Sequence, residues 1–232
     1  MNPDLRGSAA HVYVDDLEVP VLGEDDRHHL SRVLRLRDGE PVSLSDGRGS
    51  WRLARWSADG VAADGPVHHD RRVVALTVAA AIPKGDRLEW MVEKLTELGV
   101  DRIVLLHCER GVVRWDRERA AKSVERLGRI VRSAASQSRR VWLPTLDGPV
   151  EAGGFLAEHP AAVLCEPGGP AMTALEPLPG CLVVGPEGGF SPAEIAAGHG
   201  HVALGPTILR VETAAVTAAA QWTALCPIDH GA

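Results

Sequence analysis

An apolar run from Val73 to Ile82 limits the folds that this chain can adopt. Such a run without regular polar alternation is typical of a strand that is buried on both faces of a parallel sheet. After Pro83, apolar residues recur at helical spacing from Leu88 to Leu98, and Val100 to Leu106 forms a second apolar run. This strand–helix–strand pattern predicts the α/β fold class.

Two shorter apolar runs, Ala161 to Cys165 and Cys181 to Gly185, extend the predicted parallel sheet. The first seventy residues differ, because they contain short β segments around one helix. We expect a strand over His11 to Val14, a helix capped by Asp25 or Asp26 and ending at Arg35, and a hairpin that turns at Asp46 to Gly49. Asp64-Gly65-Pro66 reads as a loop, so we expect domains at 1–70 and 71–232.

Composition excludes several classes of protein. Hydrophobic residues make up 45% and charged residues 24% of the 232 residues, a balance that excludes intrinsic disorder. There is no apolar leader at the start and no run of about 18 apolar residues, so we expect a cytoplasmic protein without a membrane partner. The four cysteines form no CxxC pair, and the adjacent histidines at 28–29 and 68–69 diverge, so no metal site is predicted.

Charge is distributed unevenly along the chain, and this distribution indicates what kind of molecule the protein binds. The net charge of −6 argues against nucleic acid, yet residues 101–140 carry eleven Lys or Arg against five Asp or Glu, and residues 27–37 carry four Arg and no acid. Residues 116–137 form a predicted amphipathic helix, with Leu127 on the apolar face and Arg126 and Arg129 on the other. A solvated helix face is one interpretation; the scarcity of acids on that face favours RNA phosphate as its partner.

A glycine-rich loop is the first candidate ligand site. The strand ending at Val184 opens into residues 185–194, GPEGGFSPAE, in which Ser191 and Glu194 form a predicted capping box. Glycine lets the backbone approach a ligand closely, although a tight strand-to-helix turn would use the same residues. The loop matches neither a phosphate-binding loop nor a dinucleotide fingerprint, and Gly-x-Ser-x-Gly is absent from the chain, so no hydrolase nucleophile is predicted.

A second loop repeats this arrangement after the next predicted strand. It begins at Leu204-Gly205-Pro206 and leads through Arg210 and Glu212 into an alanine-rich helix that ends near Leu225. In α/β folds, ligands bind beyond the carboxyl ends of strands, where these residues should lie. A salt-bridged helix cap would also explain Arg210 and Glu212. Two such loops in succession favour a ligand site.

Taken together, these motifs resemble the RsmE family of S-adenosylmethionine-dependent methyltransferases, which methylate N3 of a uridine in small-subunit (16S) ribosomal RNA. The resemblance covers nearly the whole chain and is specific only as a set. It rests on HHLSRVLR at 28–35, KGD at 84–86, EKLTELG at 93–99, ERGVV at 109–113, AASQS at 134–138, GPEGGFS at 185–191, LGP at 204–206, ILR at 208–210 and ETA at 212–214. The chain departs from the family at Thr207, where Arg is frequent, and at Val141-Trp142, which replaces a polar pair.

The resemblance implies a PUA-like β-barrel RNA-binding domain over 1–70 and a SPOUT methyltransferase domain over 71–232. In the latter, a C-terminal trefoil knot binds S-adenosylmethionine without a metal ion, usually within a homodimer, and the substrate is 16S ribosomal RNA in the small ribosomal subunit. Arg210 is expected to stabilise a developing uracil oxyanion, and Glu212 to orient groups or accept a proton. The donor would be held by Val184, Gly185, Glu187, Gly188, Gly189, Leu204, Gly205, Leu209 and Thr213, and the RNA by Arg32, Arg35, Arg110, Arg126, Arg129 and Arg140.

Three other functions stay open at this point. A SPOUT enzyme that methylates a ribose 2′-hydroxyl would share the fold, although the full-length motif match disfavours it. A non-catalytic RNA-binding module would not need an intact donor pocket. An oxidoreductase that binds a nucleotide is disfavoured by the missing dinucleotide fingerprint.

Overall fold

The computed structural model describes residues 2–71 and 75–226, which form two compact units. The N-terminal unit contains residues 2–71 together with 135–143, and the C-terminal unit contains residues 75–134 and 144–226. The sequence division at residue 70 assigned 135–143 to the second domain. These residues belong to the N-terminal unit because Val141 is buried there with Leu5 and Trp51.

The N-terminal unit is built on a four-stranded sheet in the order β1-β2-β3-β4. Strand β1 runs parallel to β2, and the other neighbours are antiparallel. The predicted hairpin is confirmed by β2 and β3, and fully buried Val42 and Leu44 form part of the core. The elements are α1 (Pro3–Gly7), β1 (Ala10–Tyr13), α2 (Glu24–His28), a π-helix (His29–Val33), β2 (Pro41–Ser45), β3 (Ser50–Ser57) and β4 (Gly60–His69).

Two local predictions in this unit are wrong. Gly23, rather than Asp25 or Asp26, is the N-cap of α2, and the chain widens into the π-helix after His28. The wider turn changes which side chains share a face, so Leu30 is buried whereas Val33 is 61% exposed. The Asp64-Gly65-Pro66 segment is no loop but part of β4, where a register shift against β3 gives a bulge that accommodates a proline without an N–H.

Residues 135–143 are held in the N-terminal unit by polar groups of its first two strands. The carbonyl of Arg140 accepts the Tyr13 hydroxyl at 2.6 Å and the His11 Nε2–H at 3.0 Å. The Ser45 hydroxyl donates to the carbonyl of Val141 at 3.1 Å. Residues 135–143, which we call the returning segment, therefore supply acceptors for the Tyr13 hydroxyl, the His11 ring and the Ser45 hydroxyl.

The C-terminal unit confirms the predicted α/β fold. Its six strands have the order β10-β8-β9-β5-β6-β7, and every neighbouring pair is parallel. Val73 lies outside the described residues, and the predicted first strand is β5. The elements are β5 (Thr77–Ala81), α3 (Arg87–Glu97), β6 (Arg102–His107), α4 (Arg117–Gln137), β7 (Thr145–Glu151), α5 (Ala152–Glu158), β8 (Val163–Cys165), a 3-10 turn (Met172–Ala174), β9 (Cys181–Val184), α6 (Pro192–Ala197), β10 (Gly200–Val202) and α7 (Val211–Leu225).

The long helices of this chain follow their sequence patterns. In α4, Leu127 and Val131 are buried whereas Arg126 and Arg129 are exposed, as the amphipathic pattern predicts. Helix α7 packs on α3, β5 and β9, which buries Ala215, Ala218 and Ala219. Across residues 2–71 and 75–226, every helix is too short or too polar to cross a bilayer. The trefoil knot stays a prediction.

Candidate active site

The two predicted ligand loops surround one cavity of about 270 Å³ at the carboxyl ends of β8 and β9. Eight of the nine predicted donor residues line it, which brings together parts of the chain that only the fold could join. They are Val184, Gly185, Glu187, Gly188, Gly189, Leu204, Gly205 and Leu209. Thr213 is not among the lining residues; it is exposed on the first turn of α7, and Ala214 lines the cavity instead.

The first loop is fixed at its end by a buried carboxylate. Glu194, which is 2% exposed, accepts the backbone N–H of Ser191 at 2.7 Å, and its own N–H donates to the Ser191 hydroxyl at 3.2 Å. This is the capping box that the sequence predicted. The other oxygen of Glu194 accepts the backbone N–H of Glu109 at 3.0 Å, a contact that sequence reasoning missed. Glu194 thereby ties the loop after β9 to the segment after β6.

The glycines of the two loops have different neighbours. Gly189 has a φ of +69°, a conformation that favours glycine, and its N–H donates to the carbonyl of Pro186 at 2.8 Å to close the turn. A Cβ on Gly188 would lie 3.3 Å from the Cβ of Arg110, whose guanidinium also donates to the Gly188 carbonyl at 3.3 Å. A Cβ on Gly205 would meet no described atom within 4 Å. Gly205 thus leaves open space at the cavity wall, whereas Gly188 makes room for Arg110.

The predicted catalytic pair begins helix α7. Arg210 is the N-cap residue and is exposed, and its carbonyl accepts the N–H of Ala214 at 2.8 Å. The second loop is held in place from within the same helix, because the Gln221 amide donates to the carbonyl of Leu204 at 2.9 Å. Arg210 is therefore anchored by its backbone while its side chain stays open to solvent.

Glu212 is a buried carboxylate, with 7% of the residue exposed. Its Oε1 lies 3.5 Å from the Nε of Arg87, and its Oε2 has no hydrogen-bond partner among residues 2–71 and 75–226. A buried oxygen without a donor is costly, and such groups concentrate at functional sites. Sequence reasoning missed Arg87, although it follows directly after the KGD motif at 84–86.

Three of the four thiols of the chain are held protonated by burial. Cys165 lines the cavity, and burial raises its pKa to about 12. Burial also raises the pKa of Cys108 to about 12 and that of Cys181 to about 11. These thiols stay protonated at neutral pH, and only a thiolate attacks readily. In the described part of the chain, no group of three or more His, Cys, Asp or Glu residues could bind a metal ion.

The six predicted RNA-binding arginines are divided equally between the two units. Arg110 sits beside the glycine-rich loop, and Arg126 and Arg129 are exposed on α4, where Arg126 forms an ion pair with Glu89. Arg32, Arg35 and Arg140 belong to the N-terminal unit. Arg35 adopts a φ of +55°, and the carbonyl of Arg140 is used to hold the returning segment. All six stay candidates for RNA contact.

Known protein families match both parts of the chain. A model of an RNA methyltransferase domain matches residues 70–223, and a model of an RNA methyltransferase PUA domain matches residues 22–58. The ribosomal RNA small subunit methyltransferase E of Mycobacterium bovis is 36% identical over 89% of this chain and 88% of its own. The chain belongs to this family.

The structural comparison agrees with this membership. The family's enzyme from Neisseria gonorrhoeae, solved with S-adenosyl methionine bound, superposes with a TM-score of 0.76 at 30% identity over 93% of this chain and 97% of that one. The Bacillus subtilis relative is 28% identical over 81% of this chain and 82% of its own. As a member of the family, the chain is an S-adenosylmethionine-dependent ribosomal RNA methyltransferase with a PUA-like N-terminal region.

Proposed function

We propose that this enzyme transfers a methyl group to N3 of one uridine in small-subunit (16S) ribosomal RNA, with the donor held in the cavity between the two glycine loops. The observation that carries the proposal is the convergence of eight predicted donor residues on one cavity that continues into the start of α7. That helix carries Arg210 and Glu212, so the donor residues and the two catalytic candidates share the carboxyl edge of one sheet.

The cavity suits S-adenosylmethionine in shape and charge. Four glycines are among its lining residues, and Gly205 leaves space that any side chain would fill. Glu166 and Glu187 place negative charge at the wall, which complements a cationic ligand. When bound, S-adenosylmethionine supplies a methyl group activated by a positively charged sulfur.

The residues at the start of α7 would act on the uracil. Methylation at N3 replaces the N3–H bond with an N3–CH₃ bond, so the ring must lose its N3 proton while negative charge moves onto the neighbouring oxygens. Glu212 would accept or orient this proton, and Arg210 would stabilise the charge on the oxygen. Arg87 would hold Glu212 in place, because its Nε lies 3.5 Å from the carboxylate. Alignment of the uridine in the site supplies much of the remaining rate increase.

The setting of the reaction is also proposed. The substrate would be the 16S RNA within the small ribosomal subunit in the cytoplasm, and the enzyme would act as a homodimer. The dimer rests on the family resemblance alone. The apolar residues of α7 are no evidence for a dimer interface, because this helix is buried against α3 and the sheet of its own chain.

Reverse transcription tests the position of the methyl group. N3 methylation removes the Watson–Crick donor of uracil and blocks base pairing, whereas a ribose 2′-O-methyl group leaves the pairing edge free. Small subunits that lack the modification, treated with enzyme and S-adenosylmethionine, should gain one strong stop. A product that gains one methyl by mass yet is read through normally would overturn N3 and favour ribose methylation.

A further inference from the structure

A second cavity, larger than the donor cavity, lies in the C-terminal unit. It has a volume of about 750 Å³ and is bounded by the loop at 82–86, residues 113–116 and the part of α4 between 118 and 126. We call it the α4 cavity. Strand β5, which leads into its wall, pairs with β9, which leads into the donor cavity, so both cavities open at the carboxyl edge of the same sheet. No residue predicted to bind the donor lines the α4 cavity.

Two cations of the α4 cavity are paired with acidic side chains, and two are not paired with any described residue. Lys122 is neutralised by Glu118 at 2.7 Å, and Arg126 is neutralised by Glu89. Lys84 and Arg119 also line the cavity, and neither has an ion-pair partner within residues 2–71 and 75–226. The lining also contains the carboxylates of Asp86 and Asp116, and Asp116 accepts the backbone N–H of Arg119 at 2.8 Å at the start of α4. Lys84 and Arg119 are the cations of this surface that stay available to an anion such as a phosphate.

The cavity also contains an aromatic side chain in a fixed position. The guanidinium carbon of Arg119 lies 5.9 Å from the centre of the Trp115 ring. The backbone N–H of Trp115 donates to Nε2 of buried His107 at 3.2 Å, and neighbouring Arg114 donates to Glu151 at 2.8 Å. Trp115 is therefore held on a segment that is anchored to the ends of β6 and β7.

A planar aromatic ring, a guanidinium and a free ammonium together suit one class of ligand. Single-stranded RNA is bound by stacking its bases on aromatic and arginine side chains and by pairing its phosphates with cations. We propose that the α4 cavity binds a nucleotide of the single-stranded RNA that flanks the methylated uridine, with its base on the Trp115–Arg119 pair and its phosphate on Lys84. This inference rests on the proposed function, because it places the flanking RNA next to the donor cavity.

Binding of two labelled strands to the full chain tests the stacking contact. The probes are a fluorescein-labelled twelve-residue oligouridylate and an abasic strand of the same length, measured by anisotropy. Trp115→Ala should weaken binding of the oligouridylate by about 5- to 100-fold and leave the abasic strand unchanged, because only a base can stack. Trp115→Phe should keep most of the affinity. Trp90→Ala is the matched control, since Trp90 is 44% exposed on α3 and does not line the cavity.

The salt dependence of the same binding tests the phosphate contact. Lys84→Ala should lower the slope of log K against log salt by about 0.7, the value for one phosphate of a single strand, and Lys84→Arg should restore it. Arg117→Ala, on α4 but outside the cavity lining, should leave binding unchanged. Lys84 is exposed, so its variants do not threaten the fold.

Two further outcomes separate this inference from the proposed function. If the variants of Trp115 and Lys84 bind the oligouridylate like the unaltered chain, or lose affinity for S-adenosylmethionine in calorimetry, the RNA assignment of the α4 cavity is wrong. If the variants lose RNA affinity as expected but small subunits treated with the unaltered enzyme gain no reverse-transcription stop, the assignment of the α4 cavity stands and the proposed N3 reaction is wrong.

Discussion

The two units of this chain bury their polar side chains in different places. In the N-terminal unit, buried Ser8, His11, Ser43 and Ser45 lie in or next to β1 and β2 and bond to each other or to backbone. In the C-terminal unit, the buried side chains of the strands are apolar except at the end of β6. Apart from Thr96, the buried polar groups of that unit stand at the carboxyl edge of its sheet: His107, Ser191, Glu194 and Glu212.

The location and the hydrogen bonding of a buried polar group indicate whether its role is structural or functional. The polar groups in the N-terminal strands are all hydrogen-bonded within their own unit, so we expect their loss to lower stability. At the sheet edge, Glu212 keeps one buried oxygen without a partner among the described residues, so we expect its loss to lower turnover instead.

The largest effect is expected for Glu212→Gln. If the carboxylate accepts or orients the N3 proton, its loss should lower kcat by about 100-fold or more, a typical loss for a general base. The affinity for S-adenosylmethionine should change little, because Glu212 does not line the donor cavity. Single-turnover methylation of small subunits and calorimetry with the donor measure the two quantities.

Arg87 provides the companion measurement for Glu212. Arg87→Ala should lower kcat more than it changes KM, and Arg87→Lys should recover part of the loss, since a cation near Oε1 is restored. A Glu212→Gln enzyme that turns over normally but unfolds at lower temperature would show that this carboxylate is structural, and the comparison between the units would fail.

His11 tests the structural side of the comparison through pH. Burial, with a smaller contribution from Arg139, lowers the pKa of His11 from 6.5 to about 4, so the folded state holds a neutral imidazole. The unfolded chain binds a proton below pH 6.5 and the folded chain only below about pH 4. Stability should therefore fall as the pH drops from 6.5 to 4, by up to about 3 kcal/mol.

Denaturant unfolding at pH 7.5 and pH 4.5 measures this effect. His11→Gln should be less stable at pH 7.5 but should lose less stability than the unaltered chain at the lower pH, because other titrating groups are the same in both. Turnover per folded molecule should be unchanged. If both proteins lost the same stability on acidification, His11 would not be the responsible group.

Gly205→Leu tests the functional side of the comparison between the units, because it alters the carboxyl edge of the sheet without removing a polar group. A Cβ at Gly205 meets no described atom within 4 Å, so the leucine should extend into space that the donor needs. We expect the donor Kd to rise by about 30-fold, of the order of the cost of overfilling a packed site. Gly128→Leu, on the exposed side of α4, is the control and should bind the donor normally.

The smallest effect is expected on the basic face of α4. Arg129→Ala should lower the salt slope of RNA binding by about 0.7 if that residue contacts phosphate. Arg126→Ala should lower the slope less, because Glu89 already neutralises Arg126. Glu89→Gln should then strengthen RNA binding slightly. Equal slopes for all four proteins would mean that this face of α4 is only solvated.

Local patterns alone were enough to predict much of this fold. The apolar runs that became β5 and β6, the hairpin of β2 and β3, the capping box at Ser191 and the amphipathic α4 each depend on neighbouring residues, whose spacing is visible in the sequence. The same local reasoning failed at α2 and β4. A π-helix and a bulge are set by packing against other strands, and sequence spacing does not report them.

The order of the elements and the two glycine loops follow from local residue patterns, and the family resemblance implies the reaction. Which distant residues meet depends on the tertiary fold. Glu194 accepts a backbone N–H from a residue 85 positions away in the sequence. Arg87 on α3 contacts Glu212 at the start of α7, and Trp115 and Lys84 line the same cavity. No short-range pattern encodes such contacts, because they arise only when parallel strands bring their carboxyl ends to one edge.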